Sequence, residues 1–338
     1  MSEPHGGNVM KFPKCLDFSA NLNPLGMPQS VRQAILESVD LWEYYPDPEC
    51  LSLRKAIARH TDVPYGGIVC GNGADDLIWR IVQALRPKQT LIAVPTFSEY
   101  RRALESVGCA VESFSLLPEN GFILPETFLS ALHPGVDLVI LCHPNNPTGQ
   151  LIPQKLLHEI ARICEQNGIY LLIDACFLDL TVHPGALPHS PHTIVLNAFT
   201  KTYVMPGLRL GYAIFGENEL AESVSQTGQY WSVSTPAQIA GCAALRETAY
   251  LEQSRAVIAE ERHFLMEALQ KLSPCVIPSQ ANFILFQART GLFHSMLEEH
   301  IHIRSCENFE GLDGTWYRIA VRPHDENERL IDAFRRCL

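Results

Sequence analysis

Residues 197–212 read Asn197-Ala-Phe-Thr-Lys-Thr-Tyr-Val-Met-Pro-Gly-Leu-Arg-Leu-Gly-Tyr212. The run before them, residues 193–196, is short and apolar, as a buried strand is, so Thr200 and Lys201 are expected just beyond a strand end. Lys201 is flanked by Phe199, Tyr203 and Val204, and Arg209 follows eight residues on. Burial and a nearby cation both favour the neutral amine, the form that condenses with an aldehyde. An isolated lysine at a strand end ordinarily snorkels to solvent; the rest of the chain decides between the two readings.

The chain has 338 residues, 46% of them hydrophobic and 19% charged, enough for one large core and a smaller satellite domain. A formal charge of -11 argues against nucleic acid or a membrane as partner, while a local basic pocket remains open to a small anion. The eleven cysteines are odd in number and lack a Cys-x-x-Cys pair, so neither a disulfide framework nor a zinc site is expected. The N-terminus has no basic segment followed by an apolar one, and no apolar run approaches 18 residues, so a cytoplasmic address is expected.

The other signals fall at strand ends. Residues 68–70 read as a strand running into Gly71-Asn-Gly73-Ala74-Asp75-Asp76 and a helix to residue 85; a glycine turn opening a helix offers free amides and a favourable dipole to a phosphate. The two acids also suit an ordinary first helical turn. Residues 90–94 form a strand, and Phe97 stands at its junction with a helix, where a ring either stacks on a planar ligand or packs in the core. Strands at 110–114, 137–142 and 169–173 alternate with helices at 125–132 and 153–167. The alternation predicts a parallel sheet covered on both faces, with its ligand beyond the carboxyl strand ends. Asn146 follows one such end and Asp174 another, on the same crevice as Lys201. A buried acid after Tyr170-Leu-Leu-Ile requires a cationic or protonated partner.

The flanks are less regular. His5-Gly-Gly-Asn8 is a glycine lead-in; residues 17–28 are turn-rich, with Asn21 among the turn residues; Tyr45 lies in Tyr-Tyr-Pro-Asp-Pro before a helical pattern. Beyond residue 217 helices at 219–228, 235–246 and 250–272 precede strands at 283–286, 302–304 and 317–321 and a last helix at 327–336. The long helix suits a connector, which divides the chain into an arm and part of a small domain (1–40), a large domain (41–249) and the rest of the small domain (250–338). His183, His189 and His192 share a proline-rich loop whose spacing fits no common metal site.

Gly71-Asn-Gly-Ala, Pro95-Thr-Phe, Asn145-Asn-Pro-Thr-Gly, Asp174 and the Lys201 to Arg209 run occur in the order and spacing of the class I/II aminotransferase family, which the chain resembles over nearly its whole length. The resemblance implies an α/β fold of type I, with a mostly parallel sheet in the large domain and a smaller α+β domain, and pyridoxal 5'-phosphate as cofactor. It further implies Lys201 as the covalent anchor and proton shuttle, Asp174 on the pyridine nitrogen, Phe97 stacked on the ring and Asn146 on its hydroxyl. Gly73, Ala74, Asp75, Thr200 and Arg209 are placed around the phosphate. Tyr45 matches a position that reaches the neighbouring subunit's phosphate, which implies a homodimer.

Within the family, His5-Gly-Gly-Asn, residues 17–26 and the tail with Arg304 and Tyr317-Arg-Ile-Ala-Val-Arg322 resemble the branch that decarboxylates L-threonine O-3-phosphate for the cobamide nucleotide loop. That resemblance implies a small phosphorylated amino acid bound by Arg304 and Arg318, with His5, Asn21, Asn146 and Arg322 as further contacts, and (R)-1-amino-2-propanol O-2-phosphate as product. L-Serine O-phosphate differs by one methyl and is not separated from it. A histidinol-phosphate-type aminotransferase is the alternative, and a binding module without chemistry a third reading. Four positions depart from the family pattern: Ala198 removes a phosphate hydroxyl, Ala175-Cys176 replaces the usual pair after the aspartate, and Phe177 replaces a tyrosine.

Overall fold

A computed structural model of the chain describes residues 5–337; the first four residues of the expected arm and residue 338 lie outside the described residues. In chain order the strands are β1 (Leu16–Asp17), β2 (Ile68–Gly71), β3 (Gln89–Val94), β4 (Ala110–Ser115), β5 (Leu138–Cys142), β6 (Tyr170–Asp174), β7 (Thr193–Ala198), β8 (Gly211–Phe215), β9 (Cys275–Val276), β10 (Phe283–Gln287), β11 (Ile301–His302), β12 (Arg304–Ser305) and β13 (Trp316–Ala320). Seven form one sheet in the order β2-β8-β7-β6-β5-β3-β4. Its pairings are parallel except those of β8, which runs against both β2 and β7.

The central strands are apolar throughout because both faces are covered, and alternate residues serve different cores. Along β3, Ile92 and Val94 enter one core and Leu91 and Ala93 the other; along β5, Ile140 and Cys142 oppose Val139 and Leu141. Helix Gly73–Leu85 packs on the first face and helix Gln154–Asn167 on the second. The carboxyl ends of the parallel strands therefore share one edge, and β8 begins there, since Gly211 pairs with both Gly71 and Ala198.

A second sheet, β12-β13-β10-β9, shares a core with helices Thr248–Gln270 and His324–Cys337, in which Leu265, Leu269, Phe286 and Phe334 are buried. The first turns of Thr248–Gln270 belong elsewhere: Tyr250 and Leu251 pack with Phe199, Tyr203 and Leu210 behind the Lys201 segment.

The sequence pattern misses the short strands β1 and β9 and helix Leu292–Glu298, and differs from the structure in three further places. The helix expected at 125–132 is a 3-10 turn, Glu126–Ala131, of which only Phe128 is buried. The strand expected at 302–304 is two pieces, because β11 pairs parallel with β1 while β12 pairs antiparallel with β13, and Ile303 turns between the two sheets. Gly211–Phe215 is an additional strand and the source of both antiparallel pairings, so the large sheet is mostly parallel, as the resemblance implies, with one reversed strand.

Candidate active site

A cavity of 420 Å³ opens at the carboxyl edge of the large sheet, between it and the second sheet. Lys201 enters from the four-residue helix Phe199–Thr202 that directly follows β7, and its backbone carbonyl accepts from Asn23 N at 3.1 Å. Burial, and then the guanidinium of Arg318, push the Lys201 amine down to about 8. The chain then reverses and supplies Arg209 two residues before β8, at a φ of 56°.

Arg209 lies flat against the helix opening at Gly73. A Cβ on Gly73, whose φ is +86°, would stand 2.7 Å from Arg209 Nη2, so glycine is what allows this approach. Gly73 thus backs the guanidinium without lining the cavity, while Ala74, Asp75 and Thr200 line it beside Arg209. Asp76 occupies itself with the turn, accepting from Asn72 N at 2.8 Å and pairing with Arg80 at 3.1 Å. Asp75 points a buried, unpartnered Oδ1 inward, and burial and then the Glu99 charge hold its carboxyl above the ordinary range.

Asp174, the last residue of β6, is 6% exposed. Tyr100 donates its hydroxyl to Asp174 Oδ2 at 2.6 Å, and the amide of Cys176 donates to Oδ1 at 3.0 Å. These two bonds fix a carboxylate that would otherwise be costly to bury. The Phe97 ring meets Tyr100 edge-on at 5.6 Å and also lines the cavity. Asn146 is positioned by its neighbour: Asn145 donates to Pro95 O and Thr148 Oγ1, both at 3.0 Å, and accepts from Thr96 Oγ1 at 3.0 Å.

The opposite wall is cationic. Arg304 and Arg318 are direct cross-strand partners on β12 and β13, 5% and 6% exposed. Like charges placed opposite each other destabilise a sheet, so this pairing calls for an anion between or before them. Arg318 donates to Ser19 O at 2.9 Å and to Asn146 Oδ1, while its Nε is buried without a partner; burial holds its pKa down at about 10. Arg304 donates to Ser305 O and Asn308 Oδ1, both at 2.6 Å, and lies over the Phe309 ring. His5 and Asn21 complete this wall, the latter with a buried Oδ1 that has no partner.

Two expected residues stand apart. Tyr45 is 78% exposed and stacks on Trp231 at 4.4 Å, in a separate surface cleft. Arg322 lies beyond the end of β13 and pairs with Glu326 at 2.7 Å in the turn that opens helix His324–Cys337, away from the cavity. Conversely, Tyr100, Ser19, Glu99 and Phe309 belong to the site and are not anticipated. The available signal for Tyr100 was its place one helical turn after Phe97; a buried tyrosine hydroxyl requires a partner.

These groups suit pyridoxal 5'-phosphate: an amine held near neutrality for an aldehyde, an oriented carboxylate for a pyridinium nitrogen, and Phe97 for a planar ring. The turn at Gly73, where a Cβ would displace Arg209, forms with Thr200 and the helix amides a cradle for a phosphate.

A family model for aminotransferase class I and II matches residues 13–334. A threonine-phosphate decarboxylase of Salmonella typhimurium is 38% identical, aligned over 99% of this chain and 96% of that protein. A histidinol-phosphate aminotransferase of Desulfitobacterium hafniense is 32% identical, over 95% of this chain and 91% of that protein. Among solved structures, the histidinol-phosphate aminotransferase from Clostridium acetobutylicum is similar with a TM-score of 0.87 at 30% identity, covering 94% of this chain and 98% of that chain.

Proposed function

Because the chain belongs to the class I and II aminotransferase family, we propose that it is a pyridoxal-phosphate-dependent decarboxylase of L-threonine O-3-phosphate, yielding (R)-1-amino-2-propanol O-2-phosphate for the cobamide loop. The observation that carries this reading is the cross-strand pair Arg304 and Arg318, two buried cations on the cavity wall in a protein whose net charge is -11. One guanidinium suffices for an α-carboxylate; a second beside it suits a substrate with a further anionic group. The 38% identity to a threonine-phosphate decarboxylase supports the same substrate class.

When bound, the cofactor supplies an electron sink that lets a bond to the substrate's α-carbon break. Lys201 would hold the covalent position and, with its amine held near 8, would deliver a proton to the α-carbon near neutral pH in the place of the departed carbon dioxide. Asp174, fixed by the Tyr100 hydroxyl and the Cys176 amide, would keep a proton on the nitrogen of the cofactor. Ala74, Thr200 and Arg209 would hold the cofactor phosphate, Asn146 would contact its hydroxyl and Phe97 would pack on it.

Arg304 and Arg318 would orient the substrate through its anionic groups, and that orientation would select the bond to be lost; an advantage of ~3 kcal/mol for carbon dioxide gives roughly a hundredfold preference over proton loss. A weak grip on the carboxylate itself is required, since tight binding would oppose its departure.

Incubating the purified protein with phosphothreonine or phosphoserine, each with and without 2-oxoglutarate, tests the reading. Carbon dioxide released without the oxo acid is expected. Glutamate formed only with the oxo acid would instead assign a histidinol-phosphate-type aminotransferase, the activity named for the Desulfitobacterium hafniense relative.

We also propose a cytoplasmic homodimer. Trp42, Tyr44, Tyr45, Tyr230 and Trp231 are 48% exposed or more, a concentration of aromatic surface that suits a second copy. Tyr45 would then serve the partner's cofactor phosphate. Among the described residues no helix is long and apolar enough to cross a membrane.

A further inference from the structure

The N-terminal arm meets the cavity through a buried acid that the chemistry above does not use. His5 Nε2 lies 2.8 Å from Glu99 Oε1, and the second oxygen of Glu99 accepts from Arg102 Nη1 at 3.2 Å. The Glu99 side chain is only 8% exposed, against 45% for His5 and 70% for Arg102. A carboxylate this deep is costly without donors, so the acid is stabilised by the arm and the arm is located by the acid.

The arm is seated by its glycines as well. A Cβ on Gly6 would stand 2.3 Å from Ser19 O, so only glycine lets the chain lie against Ser19, and Gly7 N donates to Ser19 Oγ at 2.8 Å. The same Ser19 carbonyl accepts from Arg318. Among the described residues His5 and Arg304 are the two that line both the active-site cavity and an adjoining cavity of 360 Å³, so the imidazole stands at the partition on the cationic wall.

We propose that Glu99 is a positioning residue: it holds the His5 imidazole by Nε2 at this partition, so that Nδ1 is left to donate to the phosphate of the substrate. The chemistry is that of the ring. A carboxylate at Nε2 requires a proton there, and Nδ1 then donates to a second anion when both nitrogens are protonated. Without Glu99, His5 keeps its ring contact with Phe97 at 5.8 Å but loses its hydrogen bond to helix Glu99–Ser106, and the phosphate loses a prelocated donor. This rests on the phosphoamino-acid reading given above.

The test is a double-variant cycle on the cofactor-loaded protein, with inorganic phosphate and L-threonine O-3-phosphate as calorimetric probes. Glu99→Ala and His5→Ala should each weaken both ligands about tenfold, and the double variant should be no worse than His5→Ala alone. In turnover the loss should appear in KM, with kcat changed less than about threefold. Glu99→Gln keeps an acceptor for Nε2 and should recover most of the affinity. Should Glu99→Ala fail to fold, Glu99→Asp, which withdraws the oxygen from His5 by one methylene, carries the same expectation. Wild-type affinity in Glu99→Ala, or single losses that multiply in the double variant, would overturn the proposal. Absence of carbon dioxide from the wild type would instead overturn the decarboxylase reading, and binding of inorganic phosphate would still decide the role of Glu99.

Discussion

Replacing Lys201 by methionine isolates the electrostatic cost of its amine. Burial and the Arg318 guanidinium hold that amine at about 8, against an ordinary 10.5. An unfolded chain regains the ordinary value, so below pH 8 the folded protein carries a proton it disfavours, at a cost of about 3 kcal/mol. The direction follows from proton counting. Between the folded value of about 8 and the ordinary 10.5 the unfolded chain binds more protons, so wild-type stability gains from this group as pH rises. Lys201→Met removes the group from both states. The cofactor-free variant should therefore exceed wild type by about 2 to 3 kcal/mol at pH 7, and the pH-dependent part of the gap should fall below about 1 kcal/mol by pH 10. Any packing difference of the methionine is common to all pH values and drops out. Urea unfolding of both proteins at pH 7, 8.5 and 10 reads the gap directly. A gap independent of pH would refute the reasoning, because it would mean that the amine has the affinity for protons of an ordinary surface lysine.

Further expectations concern the groups around it. Tyr100→Phe removes the hydroxyl 2.6 Å from Asp174 and should weaken cofactor binding about tenfold in a fluorescence titration; unchanged binding would mean that another group orients the acid. Gly73→Ala, at φ +86° and with Arg209 Nη2 2.7 Å from the new carbon, should cost about 1 to 3 kcal/mol in denaturant unfolding. The same variant should lose its preference for pyridoxal phosphate over unphosphorylated pyridoxal. Arg304→Gln and Arg318→Gln should each raise KM for the phosphorylated substrate roughly ten- to a hundredfold; an unaltered KM in both would remove the anion-binding role of the pair. Trp231→Arg places a charge in the aromatic patch against Tyr45 and should shift sedimentation from dimer toward monomer; a wild-type protein that sediments as a monomer would remove the shared-site proposal.

The large sheet is readable because its strands are apolar on both faces, and the pattern places the candidate residues Lys201, Asp174 and Asn146 at or beyond strand ends; the roles given to them come from the resemblance. Strand Gly211–Phe215 is hidden because it continues the lysine motif without a break. The opposition of Arg304 and Arg318 arises because β12 pairs with β13 while the preceding β11 pairs with residues 16–17, a split that no local pattern encodes. Tyr100 looks like any buried aromatic of an amphipathic helix; only Asp174 in contact with it distinguishes it. Arg322 is implied only by the resemblance, and it lies outside the site because β13 ends at Ala320 and the side chain pairs with Glu326 in the following turn.

The lone reversed strand has a mechanical corollary. Ala198 faces Gly211 across the ladder, and Phe199 N donates to Leu210 O at 3.1 Å, so the excursion between them is clamped at both feet. Everything from position 199 to 210, the reactive nitrogen and the guanidinium included, hangs on that single hoop. Its circumference is metered by hydrogen-bond pairs, so an insertion or deletion within it would slide one foot along the sheet or spill into the hoop. Either way the two groups would part company, which makes this the segment of the chain least tolerant of indels.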